Sequence, residues 1–206
     1  MYHYDILLQC MSFAQILVEV SLRKGSPMFS LNDKVVYPGH GVALICRVFE
    51  RNVGGQLMAF YELKFQNKDM TIMVPRNKIE EVGVRALSSS TSISTMLETL
   101  GQPARHLKFL ESGASNWNKR NKDYQSKLRT GSLKDISDIY RDLKHISRFK
   151  ELSFGEKSLL LKTENLLVEE ISAAERLDED KAIERLRSYL VPSMIMNSSK
   201  TTLLER

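Results

Sequence analysis

The spacing of apolar residues changes period once, near residue 84, and that switch constrains what the chain can fold into. From Phe29 to Val82 the apolar residues come in short runs broken by turn residues. Val35-Val36-Tyr37 stops at Pro38-Gly39-His40-Gly41, Val42 to Phe49 is a β-rich run, and Asn52-Val53-Gly54-Gly55 reads as a hairpin connection. Leu57 to Phe65 and Met70 to Val74 are two more strands, the latter stopped by Pro75, and a short fifth is expected through Val82. Five short strands in so few residues suggest a small SH3-like or Tudor-like barrel.

After residue 84 the period is helical. Ser88 to Ser92 is a polar linker or capping segment, and Ile93 to Leu100 is a first helix ended by Gly101 and Pro103. A second helix is expected from Pro103 to Glu111. Asn116 can cap a third that runs to Thr130 and stops at Gly131. Ser132 can cap the next, with the stripe Leu133, Ile136, Tyr140 and Leu143. Ser153 and Glu156 form an S-x-x-E capping box before a helix with the stripe Leu159, Leu160, Leu166, Leu167 and Ile171. A last helix runs from Asp178 through Tyr189 to Pro192. The fold class is therefore α+β in two domains, a small β-barrel and an all-α bundle of about five helices. The expected boundaries are 29–84 for the barrel, 85–92 for a linker, 93–190 for the bundle and 191–206 for a flexible tail.

Residues 1–28 fit neither pattern. Ile6 to Val20 is mostly apolar but shorter than the ~20 residues a membrane span needs. Asp5 precedes the run and Arg23 and Lys24 follow it, the reverse of a secretory signal. A local helix or a non-native extension is expected, with translation starting at Met28 and residues 1–27 dispensable or absent in the cell.

Composition narrows the chemistry. Cys10 and Cys46 lie in unrelated contexts, no C-x-x-C pair occurs and the four histidines are scattered, so buried thiols in a reducing cytoplasm are expected rather than a metal site. No P-loop, G-x-S-x-G, H-E-x-x-H or paired-carboxylate pattern occurs, which argues against an enzyme. No cofactor is implied.

The net charge of +5 hides an asymmetry. Trp117 to Lys150 holds ten Lys and Arg against four Asp, whereas Glu151 to Leu190 carries a net −4 and Phe29 to Gly83 a net +1. A positive field gathered on the middle helices is the footprint of a phosphate-backbone contact, or simply the solvated face of a basic protein. Trp117 beside Lys119, Arg120 and Lys122 favours the first reading, since aromatics next to cations stack on or wedge between bases. Its spacing to Tyr124 and Leu128 instead puts Trp117 on an apolar stripe that would pack in the core. Its place at the helix start, behind the polar run Ser112 to Asn116, points outward. Lys157, in the first turn after Ser153, is either a phosphate contact or an ordinary surface lysine.

The run Phe29-Ser-Leu-Asn-Asp33-Lys-Val35-Val36-Tyr37-Pro38-Gly-His40-Gly41-Val resembles the opening of CarD/CdnL proteins, and the module is similar to the RNA-polymerase-interacting domain of transcription-repair coupling factors. Met73-Val74-Pro75 and Glu81-Val82-Gly83-Val84-Arg85 resemble its end. Asn116-Trp117-Asn118-Lys119-Arg120, Leu128-x-x-Gly131, Tyr140-Arg141-Asp142-Leu143 and Leu152-Ser153-x-Gly155-Glu156-Lys157 resemble the CarD helical domain in order and spacing. The match covers about Phe29 to Leu190.

The resemblance implies a bacterial transcription regulator. Its Tudor-like domain would dock on the lobe of the RNA polymerase β subunit. Its helical domain would lie on double-stranded promoter DNA at the upstream edge of the bubble, largely without sequence preference. Trp117 would wedge into the minor groove there and resist bubble collapse, with Lys119, Arg120, Lys122, Arg141 and Lys157 on the backbone. Polymerase contacts would fall to Arg51, Val53 and Met73, the last where some relatives carry arginine. A cytoplasmic monomer without membrane contact is expected. The competing readings are a polymerase-independent DNA-binding repressor and a protein-interaction adaptor in which Trp117 is buried. On the DNA-contact reading Trp117 should be largely exposed, with Tyr124 and Leu128 buried behind it.

Overall fold

A computed structural model describes residues 29–102 and 117–190. The extension before Met28, Cys10, the helix expected from Pro103 to Glu111, the Asn116 cap, Pro192 and the tail lie outside the described residues.

The first half is a five-stranded antiparallel sheet: β1 (Lys34–Tyr37), β2 (Gly41–Val53), β3 (Gln56–Phe65), β4 (Thr71–Pro75) and β5 (Arg85–Ala86). The strand order is β4-β3-β2-β1-β5. The β2–β3 hairpin closes on Gly54 and Gly55, both at positive φ, as a two-residue turn between right-twisted strands requires. The fifth strand is Arg85–Ala86 rather than a run through Val82, because residues 76–78 coil into a 3₁₀ turn after Pro75. Alternation puts Ala43, Ile45, Tyr61, Leu63, Phe65 and Val74 on the buried face. A register shift between Ile45 and Arg47 marks a bulge at Cys46, a free and half-buried cysteine rather than a core one.

Five helices follow among the described residues: α1 (Ser90–Leu100), α2 (Trp117–Thr130), α3 (Leu133–Ile146), α4 (Phe154–Glu175) and α5 (Glu179–Ser188). The chain is thus α+β, a sheet followed by helices, as the change of period implies. The serine run forms the cap and first turn of α1, with the Ser89 hydroxyl accepting from the Ser92 N–H at 3.2 Å. Ser153 and Glu156 make the complete capping box at α4. Leu133, Ile136, Tyr140 and Leu143 of α3 and Leu159, Leu166, Leu167 and Ile171 of α4 are buried together with Tyr124 and Leu128 of α2. Among the described residues no helix is long and apolar enough to cross a membrane.

The segment 85–92 does not behave as a loose linker, since it carries β5 and the start of α1 and joins sheet to helices through one buried carboxylate. Glu170 of α4, whose side chain is 3% exposed, receives Arg85 Nη1 at 2.6 Å and Nη2 at 2.8 Å, and the Ser88 hydroxyl at 2.6 Å. Arg85 Nε donates to the Gly131 carbonyl at 2.9 Å. Nearby, the Pro38–Gly41 turn lies on the helices. A Cβ on Gly131 would meet Pro38 at 3.1–3.3 Å, and one on Gly41 would lie 2.0 Å from Glu169 Oε2, which accepts from the Val42 N–H at 3.2 Å. Only glycine fits at 41, where the φ of +96° also disfavours any side chain.

Arg85→Ala leaves the Glu170 carboxylate buried without its cation. The expected loss is about 3–5 kcal/mol in urea unfolding, as for a broken buried pair. A loss below about 1 kcal/mol would place the contact among ordinary surface ion pairs.

Candidate functional site

Two surfaces carry the residues singled out above. The first is the outer face of the sheet. Cross-strand partners share a face, so the ladder Arg47–Glu62–Met73 and its neighbour Phe49–Phe60–Pro75 lie opposite the core, and Arg51 and Val53 continue the same side of β2. The three expected polymerase contacts Arg51, Val53 and Met73 are all exposed there. Arg47 stacks 4.6 Å over the Phe49 ring, Phe49 stacks on Phe60 at 5.8 Å, and Arg47 Nε meets Glu62 Oε2 at 2.7 Å. The Arg47-Phe49-Phe60-Glu62 group was legible in strand alternation once the register is fixed, but it does not stand out in the residues alone.

The second surface lies where the first turn of α2 meets the start of α4. Trp117, the first residue of α2, is half-buried and packs against the helical core, not largely exposed. Its ring lies on Gly155, where a Cβ would sit 3.1 Å from Trp117 Cζ2 and 3.8 Å from Nε1. The absence of a side chain at 155 is what lets the indole close onto α4, and it explains why the helix-start argument for exposure fails. Tyr124 and Leu128 are buried as expected.

One turn further along α2, Arg120 Nη2 donates to Glu156 Oε1 at 2.9 Å. Glu156 is 1% exposed and also receives Lys150 Nζ at 3.1 and 3.2 Å and the Ser153 N–H and hydroxyl at 2.9 and 3.0 Å. Arg120 is therefore a tie between helices rather than a free cation facing outward. Arg141 departs further from expectation. It is 6% exposed: its guanidinium donates to Asp138 within α3 and, at 3.0 Å, to the Thr99 carbonyl, the contact that holds α3 against α1. A buried, doubly engaged guanidinium cannot reach a phosphate without unpacking the core. Lys119, Lys122 and Lys157 are exposed, and Lys157 pairs on the surface with the exposed Glu151 at 2.7 Å. Phe154, the first residue of α4, is 89% exposed, and residue pattern gave no signal for it. Among the described residues no cluster of His, Cys, Asp or Glu is placed to hold a metal ion.

Comparison with known proteins matches both halves. Residues 29–88 match the CarD-like/TRCF RID domain, and residues 96–187 match the CarD C-terminal domain. A polymerase-interacting sheet module followed by this helical domain defines a class of transcription regulators that work with RNA polymerase. The chain belongs to the CarD family. It is similar to the Bacillus subtilis (strain 168) protein YdeB, a candidate transcription factor, with 25% identity over 154 residues that cover 74% of this chain and 95% of the relative. It is also similar to the solution structure of the 72-residue N-terminal domain of Myxococcus xanthus CarD, with 30% identity, a TM-score of 0.26, and coverage of 31% of this chain and 84% of the other.

Glu156 and Glu164 give the helical domain an acid limit. Burial alone would raise both. At Glu156 the Ser153 N–H and hydroxyl and Lys150 outweigh burial, and at Glu164 Arg187, Tyr140 and Lys144 do, so both carboxyls titrate below the usual 4.5. A depressed folded value means the carboxylates stabilise the fold above the unfolded value and lose that contribution as pH falls through the folded one. Stability is expected to fall steeply below about pH 4.5. Glu156→Gln should be less stable at pH 7 and show a flatter decline. A variant curve parallel to wild type would contradict this.

Proposed function

We propose that the chain docks on the β subunit of RNA polymerase, at its lobe, through the outer face of β2, β3 and β4. On this reading it sets the α2–α4 end of its helical domain on promoter DNA at the upstream edge of the transcription bubble and stabilises the open complex there. The observation that carries the reading is the Trp117 ring lying on Gly155 at the start of α4, with exposed Lys119 and Lys122 on the helix that bears Trp117 and exposed Lys157 on α4. The lysines position the domain on the duplex without reading sequence.

The gain is thermodynamic rather than chemical. Docking on polymerase makes the DNA contact effectively intramolecular, so modest intrinsic affinity suffices. A ring against bases unstacked at the fork contributes about 1–3 kcal/mol. At 1.4 kcal/mol per tenfold, that shifts the ratio of open to closed promoter by roughly five- to 140-fold. Trp117 is held on Gly155, so little of this gain is lost to ordering the side chain.

The half-burial of Trp117 gives one point to a second reading, a protein-interaction adaptor in which the indole is a packing residue. The variants separate the two. Trp117→Ala is expected to keep polymerase capture and to shorten open-complex lifetime about fivefold or more, whereas Arg51→Glu is expected to lose capture. An unchanged lifetime with Trp117→Ala would refute the wedge.

A further inference from the structure

The geometry points to Phe154 as a second DNA-contacting ring, paired with Trp117 at the fork; this inference rests on the proposed wedge reading and deepens it. Three large apolar side chains of the helical region are exposed among the described residues, and all lie between 149 and 161: Phe149 at 67%, Phe154 at 89% and Leu161 at 58%. Single exposed apolar residues are ordinary. Phe154 differs in where it sits. It directly precedes Gly155, the residue under the Trp117 ring, and it opens the helix whose third residue, Glu156, holds Arg120 and Lys150. Trp117 is fixed and half-hidden while Phe154 is almost wholly free, so Phe154 is the aromatic surface this end of the domain offers most fully.

Charge selects the occupant. Lys150 and Lys157 flank Phe154 in sequence, and Lys119 and Lys122 stand on the neighbouring helix. Glu156 is buried beneath its cations, which leaves Glu151 as the exposed carboxylate closest in sequence, and it is paired with Lys157. An exposed ring with lysines on its own segment and on the neighbouring helix suits nucleic acid, where bases stack on the ring and phosphates meet the lysines. It suits a protein groove less well, since such a groove would have to desolvate those lysines.

The test uses the full chain and a short forked duplex, with the same duplex fully paired as reference. Phe154→Ala is expected to weaken forked-DNA binding about tenfold and to leave paired-duplex binding within about twofold. Phe154→Tyr should keep wild-type binding because the stacking face is retained. Thermal unfolding of Phe154→Ala should match wild type, since the side chain is exposed. Unchanged forked-DNA affinity in Phe154→Ala while Trp117→Ala is weakened overturns this inference and leaves the wedge reading standing. No effect of either substitution overturns both. Loss of polymerase capture in Phe154→Ala, with DNA binding intact, makes the ring a protein contact and also overturns the inference.

Discussion

The contact between Arg85 and Glu170 governs how the two halves of the chain relate. A carboxylate buried to this degree is tolerated only with its charge paired and its lone pairs filled. Glu170 meets that demand with a guanidinium from β5 and a hydroxyl and N–H from Ser88, all in the segment that leaves the sheet. Arg85 then reaches the α2–α3 turn through the Gly131 carbonyl. The same turn receives Pro38, and α4 receives the Val42 N–H through Glu169. Sheet and helices thus share polar and packing contacts at several points. On the proposed reading this matters, because a docked sheet can fix the DNA-facing end of α2 and α4 only if the joint does not swing.

A second buried carboxylate organises that end. Glu156 caps α4, and through Arg120 it also holds α2 at the height where Trp117 lies on Gly155. The arrangement divides the basic residues by job. Arg120 and Arg141 are interior ties, whereas Lys119, Lys122 and Lys157 stay at the surface. The division fits side-chain chemistry: a planar guanidinium satisfies several buried acceptors at once, and an ammonium on a flexible stem prefers water.

Much of the fold was readable in the residues. The β strands, the capping box and the stripes of α3 and α4 follow from alternation and 3.6-residue spacing, and they fall within a few residues of where they were expected. The fifth strand lies later than its sequence suggests, because two residues carry no periodicity and their pairing with β1 is a long-range fact. The site was less legible. Trp117 combined a core-like spacing with a surface-like position, and what settles its half-buried state is a glycine nearly forty residues away. Arg120 and Arg141 look like surface cations in sequence because their partners, Glu156 and the Thr99 carbonyl, lie on other helices. Phe154 is not legible in the sequence, because exposure at a helix start leaves no pattern.

Trp117 is the only tryptophan, so its emission reports on this end of the domain directly. The decisive measurement is that emission during titration of the full chain with a short forked duplex at low salt. Stacking against bases at the fork is expected to quench it strongly, with much weaker quenching by the fully paired duplex. Emission that stays unchanged at saturating forked DNA would contradict the account.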